Sequence, residues 1–276
     1  MKKLIILCSV LTGGFFCHNS HSQTTQTVDT VKLRVVYEQF SVMDTANPGN
    51  KMKDMMYLDI GDSITLYDDY NKYVMVHLIK DLKSQAEVDR VINENSSKYN
   101  SSGVMDYKVI KNYPQKHKMT VGDRFAMEHY IYEETIETPK WILKNGTLTV
   151  AGYECKKAET LFRGRKYEAW YAPGIPINDG PWKFSGLPGL ILKVVESKGE
   201  FSFECVSLEK KHEAMRDPQA GSAKTAKIRK KSECIKARQA YMDNAGAFIQ
   251  GNPLYSAPLP AHNYEKKPYN PIELSE

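Results

Sequence analysis

The chain has 276 residues, 26% of them charged, and a formal net charge of +5 at neutral pH. That length holds one large β domain, or one domain with an appendage. The charge excess is too small for a nucleic-acid binder, which needs an excess as well as clustering on one face, although basic residues do cluster from Lys224 to Arg238.

Met1-Lys2-Lys3 is a short basic start, Leu4 to Phe16 is an apolar core, and Ser20-His21-Ser22 supplies small residues for a peptidase. This reads as a secretory signal peptide over residues 1–22, cleaved before Gln23, and is too short for a stable membrane span. Cys17 offers a lipidation site, but the residue before a lipidated cysteine is normally small and here it is Phe16. Losing Lys2 and Lys3 lowers the net charge to +3. No later stretch has the length and apolarity of a transmembrane helix. The mature chain is expected to be soluble, in the periplasm or outside the cell, or held at the outer membrane by a partner.

Lys32 to Phe40 alternates apolar and polar residues and reads as a strand. Asn47-Pro48-Gly49-Asn50 is a loop. Met56 to Ile60, Gly61-Asp62 and Ser63 to Tyr67 read as a β-hairpin with a glycine-first turn. Tyr73 to Ile79 reads as a further strand, and Glu87 to Ile92 as one or two helical turns before the polar loop Asn93 to Gly103. Strands resume at Met105 to Ile110, Lys118 to Val121 and Met127 to Glu133. An Asn145-Gly146 turn then leads to Thr147 to Phe162, one long strand or two broken near Gly152. Arg163 to Lys166 connects to a return strand, Tyr167 to Tyr171. Leu190 to Val195, the turn Ser197-Lys198-Gly199 and Phe201 to Leu208 form a last hairpin. No ten-residue helices separate these strands, so a parallel βαβ architecture is excluded in favour of a mainly β fold. The expected body spans residues 23–211 as an antiparallel curved sheet or a partly open β-barrel.

After Lys211 the composition changes. Ala223 to Phe248 is rich in Ala, Lys, Arg and Met, with Ile228, Ile235, Met242 and Ile249 seven residues apart. The segment 212–250 therefore reads as amphipathic and helical. Its run Lys227 to Lys231 is a solvated face or a contact for anionic lipid head groups or an acidic partner. Residues 251–276 carry five prolines and read as an extended or disordered tail.

Three cysteines lie beyond the leader, Cys155, Cys205 and Cys234. An exported protein can hold disulfides, and an odd count leaves one thiol over. Cys155 and Cys205 sit in strand patterns and form the candidate disulfide; the alternative is that both are small buried hydrophobes.

The most informative stretch runs from Gly180 through Pro181, Trp182, Lys183, Phe184, Ser185, Gly186, Leu187, Pro188, Gly189 and Leu190 to Ile191. Leu187-Pro188-Gly189-Leu190 fits a type II turn, with proline presetting φ and glycine accepting a positive φ. The connection from Ala172 to Gly189 is long for a compact domain, and such loops are functional or anchored by their own side chains. With Trp170 and Tyr171 just ahead, the aromatics Trp182 and Phe184 form either a mouth that binds an apolar ligand or a partner peptide, or a plug that completes the core.

This dodecapeptide resembles the signature of the GLPGLI family, secreted proteins of Bacteroidetes named after the hexapeptide. Ala151 to Ala158 looks like that family's preceding strand, Tyr167 to Pro173 with Ile175-Pro176 like its middle element, and Tyr269 to Leu274 like its C-terminal ending. The resemblance implies export but transfers no activity and no catalytic residue. The layout is also similar to that of periplasmic lipoprotein carriers, half-open barrels that hold lipid chains, an analogy of fold that warrants no function.

No GxSxG, HExxH or P-loop pattern occurs, so the nucleophile, metal or phosphate chemistry of a familiar hydrolase or nucleotide enzyme has no motif here. No cysteine or histidine spacing suggests a metal or cofactor. His117 and His129 lie near Glu128, Glu133 and Glu134, but His129 and Glu133 are badly spaced for shared coordination on a strand. The expected function is a non-enzymatic envelope binding protein that engages an apolar ligand, a lipid or an outer-membrane protein partner through Trp170 to Ile191. The alternatives are a scaffold acting through the C-terminal helix and tail, and an enzyme of unfamiliar type.

Overall fold

A computed structural model describes residues 26–101, 107–125, 128–220, 226–250 and 266–275, without the side chains of 248 and 249. The expected leader, with Cys17 and the cleavage point, lies outside the described residues, as does most of the expected tail. Twelve strands form one sheet: β1 (Thr27–Val42), β2 (Lys51–Ile60), β3 (Thr65–Asp69), β4 (Tyr107–Lys111), β5 (Lys118–Phe125), β6 (Glu128–Thr135), β7 (Ile142–Val150), β8 (Tyr153–Phe162), β9 (Arg165–Ala172), β10 (Leu190–Glu196), β11 (Phe201–Arg216) and β12 (Lys227–Ile228). Their order is β12-β6-β5-β4-β3-β2-β1-β11-β10-β9-β8-β7. All described pairings are antiparallel except β12 against β6. The protein is mainly β, and its sheet is not closed into a barrel.

The sheet is nonetheless strongly curled, because chain connectivity demands it. β6 and β7 are consecutive in sequence and ten places apart in the sheet. At about 4.8 Å per strand, a flat sheet would separate them by ~48 Å. Seven peptide steps from Thr135 to Ile142 reach at most about 25 Å. The curl brings Arg163, at the end of β8, to within 3.2 Å of Glu134 on β6.

Alternation along the strands supplies an apolar inner face, with Val35 and Tyr37 on β1, Met56 and Leu58 on β2, Val109 on β4, Met119 and Val121 on β5, and Phe201 and Phe203 on β11. A smaller cluster on the outer face joins Val31, Tyr57, Ile64, Leu66, Ile110 and Met215, with Tyr70 and Tyr73 packed on it.

Four expectations need correction. Tyr73 to Ile79 is not a strand but part of helix α1 (Tyr70–Ile79). Its apolar run is ambiguous in period, and two local features decide it. Asp69 caps the helix by accepting a 2.8 Å bond from the Lys72 amide, and Tyr70, Tyr73 and His77 fall on one face that packs over Tyr57. The helical turns expected near Glu87 are α2 (Gln85–Asn95), closed by a Ser84–Glu87 capping box. Second, Asn145-Gly146 is no turn; it is a bulge inside β7, between Lys144 and Thr147. Third, β11 runs on to Arg216, and the C-terminal helix is two pieces, α3 (Lys231–Asp243) and α4 (Ala245–Gln250). The buried positions of α3 are Cys234, Arg238 and Met242, four residues apart rather than seven, whereas Ile228 is 73% and Ile235 39% exposed.

Fourth, Cys155 and Cys205 form no disulfide; they and Cys234 are free, buried thiols. β9 and β10 lie between the strands that carry Cys155 and Cys205, so no ladder sets them opposite one another. Burial pushes the Cys205 thiol up to about 12, which leaves it protonated and unreactive at neutral pH.

Replacing Asp69 with alanine removes the α1 cap and is expected to lower stability by about 1 kcal/mol in chemical denaturation, with the slope unchanged.

Candidate functional site

The connection from β9 to β10 folds into the concave side of the sheet. Trp182, Phe184, Leu187, Leu190 and Ile191 are at most 1% exposed, and Tyr171, Pro181 and Gly189 are also buried. Gly186 is half-buried, Pro188 is exposed, and Trp170 stands half-buried on the outer face, where its indole donates to Glu168 and Lys157 lies over its ring. Phe184 is the centre of an aromatic cluster, with ring centroids 4.9 Å from Tyr167, 5.2 Å from Trp182, 5.8 Å from Phe162 and 5.9 Å from Phe203.

Backbone geometry turns these side chains inward. The Phe184 amide bonds the Pro181 carbonyl at 3.1 Å, with Trp182 held at a φ of 53°. That left-handed conformation costs roughly 1–2 kcal/mol in a non-glycine residue and persists because burial over-determines it. Leu187 to Leu190 is not the expected type II turn. The Gly189 amide bonds Leu187 at 2.8 Å, while the Leu190 amide goes to Ile175 at 3.0 Å. Glycine is still required at 189, where φ is 152° and a Cβ would meet the Ala172 carbonyl oxygen at 2.3 Å.

Two buried lysines anchor the loop, and neither stood out in the sequence. Lys111 ends β4 on the inner face and donates to Asp179 at 2.5 Å and to the Phe184 carbonyl at 2.9 Å. Lys183, fully buried, donates to Tyr132 at 3.3 Å, to Glu273 at 2.5 Å and to Glu134. Lys231 on α3 bridges the same two carboxylates at 3.0 and 2.5 Å, and Arg163 approaches Glu134 at 3.2 Å. Burial alone would raise the Glu134 carboxyl, but the charge and hydrogen bond of Lys183, with Lys231 and Arg163, hold it below the ordinary range. Burial, then the nearby Glu273 and Glu134 charges, lifts Tyr132 well above a normal phenol, so it stays neutral. One signal was available: Lys111 shares inward parity with Tyr107 and Val109, and Arg165 shares it with Tyr167 and Ala169.

Two openings flank this assembly. An inner cavity of about 80 Å³ lies among Tyr107, Tyr132, Trp182, Arg238 and Tyr269, room for two or three waters at about 30 Å³ each. An outer groove of about 360 Å³ runs between α1 and the sheet, with Tyr57, Tyr73, Ile110, Gly122, His129 and Ile131 among its walls. Asp68 in that groove pairs with Lys108 at 3.0 Å. Among the described residues no group of three or more His, Cys, Asp or Glu could hold a metal. Glu128 instead accepts from Tyr130 and Lys227, each at 2.7 Å. No helix among the described residues is long and apolar enough to cross a membrane.

A family model described as "Protein of unknown function (Porph_ging)" matches residues 160–193. The matched stretch takes in the end of β8, all of β9, the buried loop and the start of β10. No curated protein matches the chain. Among solved structures, the chain is similar to "Structure of PNGF-II in P21 space group", with a TM-score of 0.46 and 14% identity over 76% of this chain. It is likewise similar to "Structure of PNGF-II in C2 space group", with a TM-score of 0.47 and 16% identity over 76% of this chain. The chain spans 33% and 32% of those chains. Similarity at this level informs neither the fold assignment nor the function.

Trp182→Ala is expected to destabilise the protein by about 3–5 kcal/mol, the range for a large buried aromatic, as read by the denaturation midpoint. Glu134 and Glu200 are both held below the ordinary glutamate value of 4.5, each against an opposing burial effect, Glu200 by Arg165 and Asn270. Their stabilising contribution is therefore complete above about pH 4.5 and is lost as pH falls through the lower folded values. Asp59 and Asp68, raised mainly by burial, act in the opposite sense. The readout is therefore the difference between wild type and Glu134→Gln, which should shrink from pH 7 to pH 3; a constant difference would remove Glu134 from the account.

Proposed function

We propose that the protein is a non-enzymatic binding protein of the cell envelope, exported to the periplasm or the outer-membrane surface, which takes a small amphipathic ligand in the groove between α1 and the sheet. The signature loop is then the internal frame rather than the contact surface. What carries this reading is the contrast between the two sides of the sheet. The concave side is filled by Trp182, Phe184 and Leu187 around a cavity of about 80 Å³. The outer groove has about 360 Å³ and sets Tyr57, Tyr73, Ile110 and Ile131 among charged side chains that include Asp68, Asp69, Lys72 and Lys108, a size within the usual range of small-molecule sites and a lining that suits an amphipathic ligand. Export rests on the leader-like residues 1–22.

A second reading keeps the ligand inside. The inner cavity has aromatic walls and is covered by α3 and the tail, so an apolar chain enters if that cover lifts.

Gly122 separates the two. It lies on the groove floor, and a Cβ there would meet only the Lys108 Cβ, at 3.8 Å. Gly122→Leu fills the groove without backbone strain. With N-phenyl-1-naphthylamine as probe, wild type is expected to show saturable fluorescence enhancement, and Gly122→Leu to lose it while keeping the thermal midpoint within a few degrees. Retained enhancement in Gly122→Leu would overturn the groove and favour the interior. Absence of enhancement in wild type, together with no small-molecule adduct in native mass spectra of protein taken from its own envelope, would count against a ligand-binding role altogether.

A further inference from the structure

The last described residues, 266–275, lie as an extended peptide across the seam where the curled sheet brings β6 opposite the β8–β9 turn. They join no strand ladder. Directional polar contacts hold them to the body of the protein at several points. Arg165 donates to the Asn270 side chain at 2.5 Å and to the Pro271 carbonyl at 2.6 Å. The Asn270 amide donates to the Val42 carbonyl at 2.8 Å and to Glu200 at 2.9 Å. The Leu274 amide donates to the Arg163 carbonyl at 2.9 Å. The Glu273 carboxylate enters the pocket of Lys183 and Lys231, 2.5 Å from each. Apolar contact adds to these bonds, since Ile272 packs against the main core and Tyr269 lines the inner cavity, whereas Leu274 is 56% exposed. The fit is nevertheless close: a Cβ on Gly164 would meet the Leu274 Cβ at 2.8 Å.

A main-chain carbonyl read by a fixed arginine fork, one amide side chain bonded on both its ends, and one carboxylate met by two cations are how a protein recognises a peptide in trans. We infer that the seam is a peptide-binding site for an extended Asn-Pro-Ile-Glu segment, filled in cis by the chain's own tail and in trans by the same tail of a second copy.

Two observations favour the second copy as the trans occupant. Its tail carries the same residues and so meets every contact by identity. Residues 251–265 join Gln250 to the tail, a length of chain that spans about 50 Å when extended, enough to reach a neighbouring molecule. An empty site would leave Arg165 with Glu200 and Lys183 with Glu134, each cation losing the partners that the tail supplies. Either tail restores those partners, and the high effective concentration of a tethered tail keeps the cis form dominant in dilute solution. This inference does not rest on the outer groove.

The test uses the full chain with a protease sequence placed within residues 251–265. After cleavage, a fluorescein-labelled synthetic peptide of residues 266–276 is expected to enter the site by exchange, with a rise in anisotropy that unlabelled peptide reverses. The Glu273→Gln peptide should compete at least about tenfold more weakly, as expected when a charge-assisted bond becomes a neutral one. In parallel, two uncleaved copies with different affinity tags, mixed at high concentration, should co-purify, and excess peptide should separate them. Failure of the labelled peptide to enter the cleaved protein would make the tail a permanent part of the fold and overturn the site. Equal competition by the Glu273→Gln peptide would overturn the role of the lysine pocket. Peptide exchange without co-purification of the intact copies would overturn the second copy as occupant.

Discussion

Six residues, 136–141, join two strands that stand ten places apart in a twelve-stranded sheet. That short tether sets the shape of the molecule. It cannot be satisfied by a flat sheet, so the sheet curls until its two ends meet, although no ladder of hydrogen bonds joins them. β6 takes its outer pairing from the two-residue β12 instead. The seam must therefore be closed by side chains, and the residues that close it are Arg163, Lys183, Glu134, Lys231 and Glu273. Trp141 adds a further tie, its indole donating to the Ser185 carbonyl at 2.8 Å.

A curled sheet of this width encloses more space than its own inward side chains fill, and the β9–β10 connection occupies it. A loop carries backbone polar groups and charges into an apolar interior, where each unpaired group costs roughly 1–3 kcal/mol. The interior is organised to meet that demand. Lys111 takes Asp179 and a loop carbonyl, Tyr37 donates to the Ile191 carbonyl at 2.8 Å, and Gln39 accepts from Tyr67 and Tyr107 at 3.0 and 2.9 Å. Buried ion pairs of this kind add little net stability over an apolar filling of the same shape, but they penalise any other arrangement of the loop heavily. They fix one conformation, which explains how Trp182 is held in a strained backbone region.

The two faces of the sheet consequently differ in use. The inner face is consumed by the loop, α3 and the tail. The outer face carries its own small core of tyrosines and aliphatics under α1, with Arg34 paired to Asp59 at 2.6 Å and lying 4.1 Å from the Tyr73 ring centroid. Of the inner cavity and the outer groove, the larger lies beside that helix, and the proposed ligand site is placed there rather than in the loop that dominates the sequence.

Much of this was legible in the residues. Alternation placed the strands of β1, β2, β5, β8 and β11, Gly152 marked the break between β7 and β8, and the prolines and aromatics of residues 172–190 marked a long connection that has to be either buried or exposed for a purpose. Period alone misjudged α1, because four consecutive apolar residues fit a strand as well as a helix until the Asp69 cap and the packing of Tyr73 on Tyr57 decide between them. Seven-residue spacing misjudged α3, whose buried face follows Arg238 toward Asp123 on β5. The sequence by itself determined the fold class and the break at Gly152, because these depend on side-chain parity and on the φ freedom of glycine, whereas the expected turns at Asn145-Gly146 and Leu187 to Leu190 took other forms. Only the tertiary structure decided that the sheet curls, that the signature loop lies inside it, and that Lys183, Glu134 and Glu273 meet. Those outcomes depend on strand order and on pairings across 49 and 90 residues of chain, where no local pattern records which charge will find which.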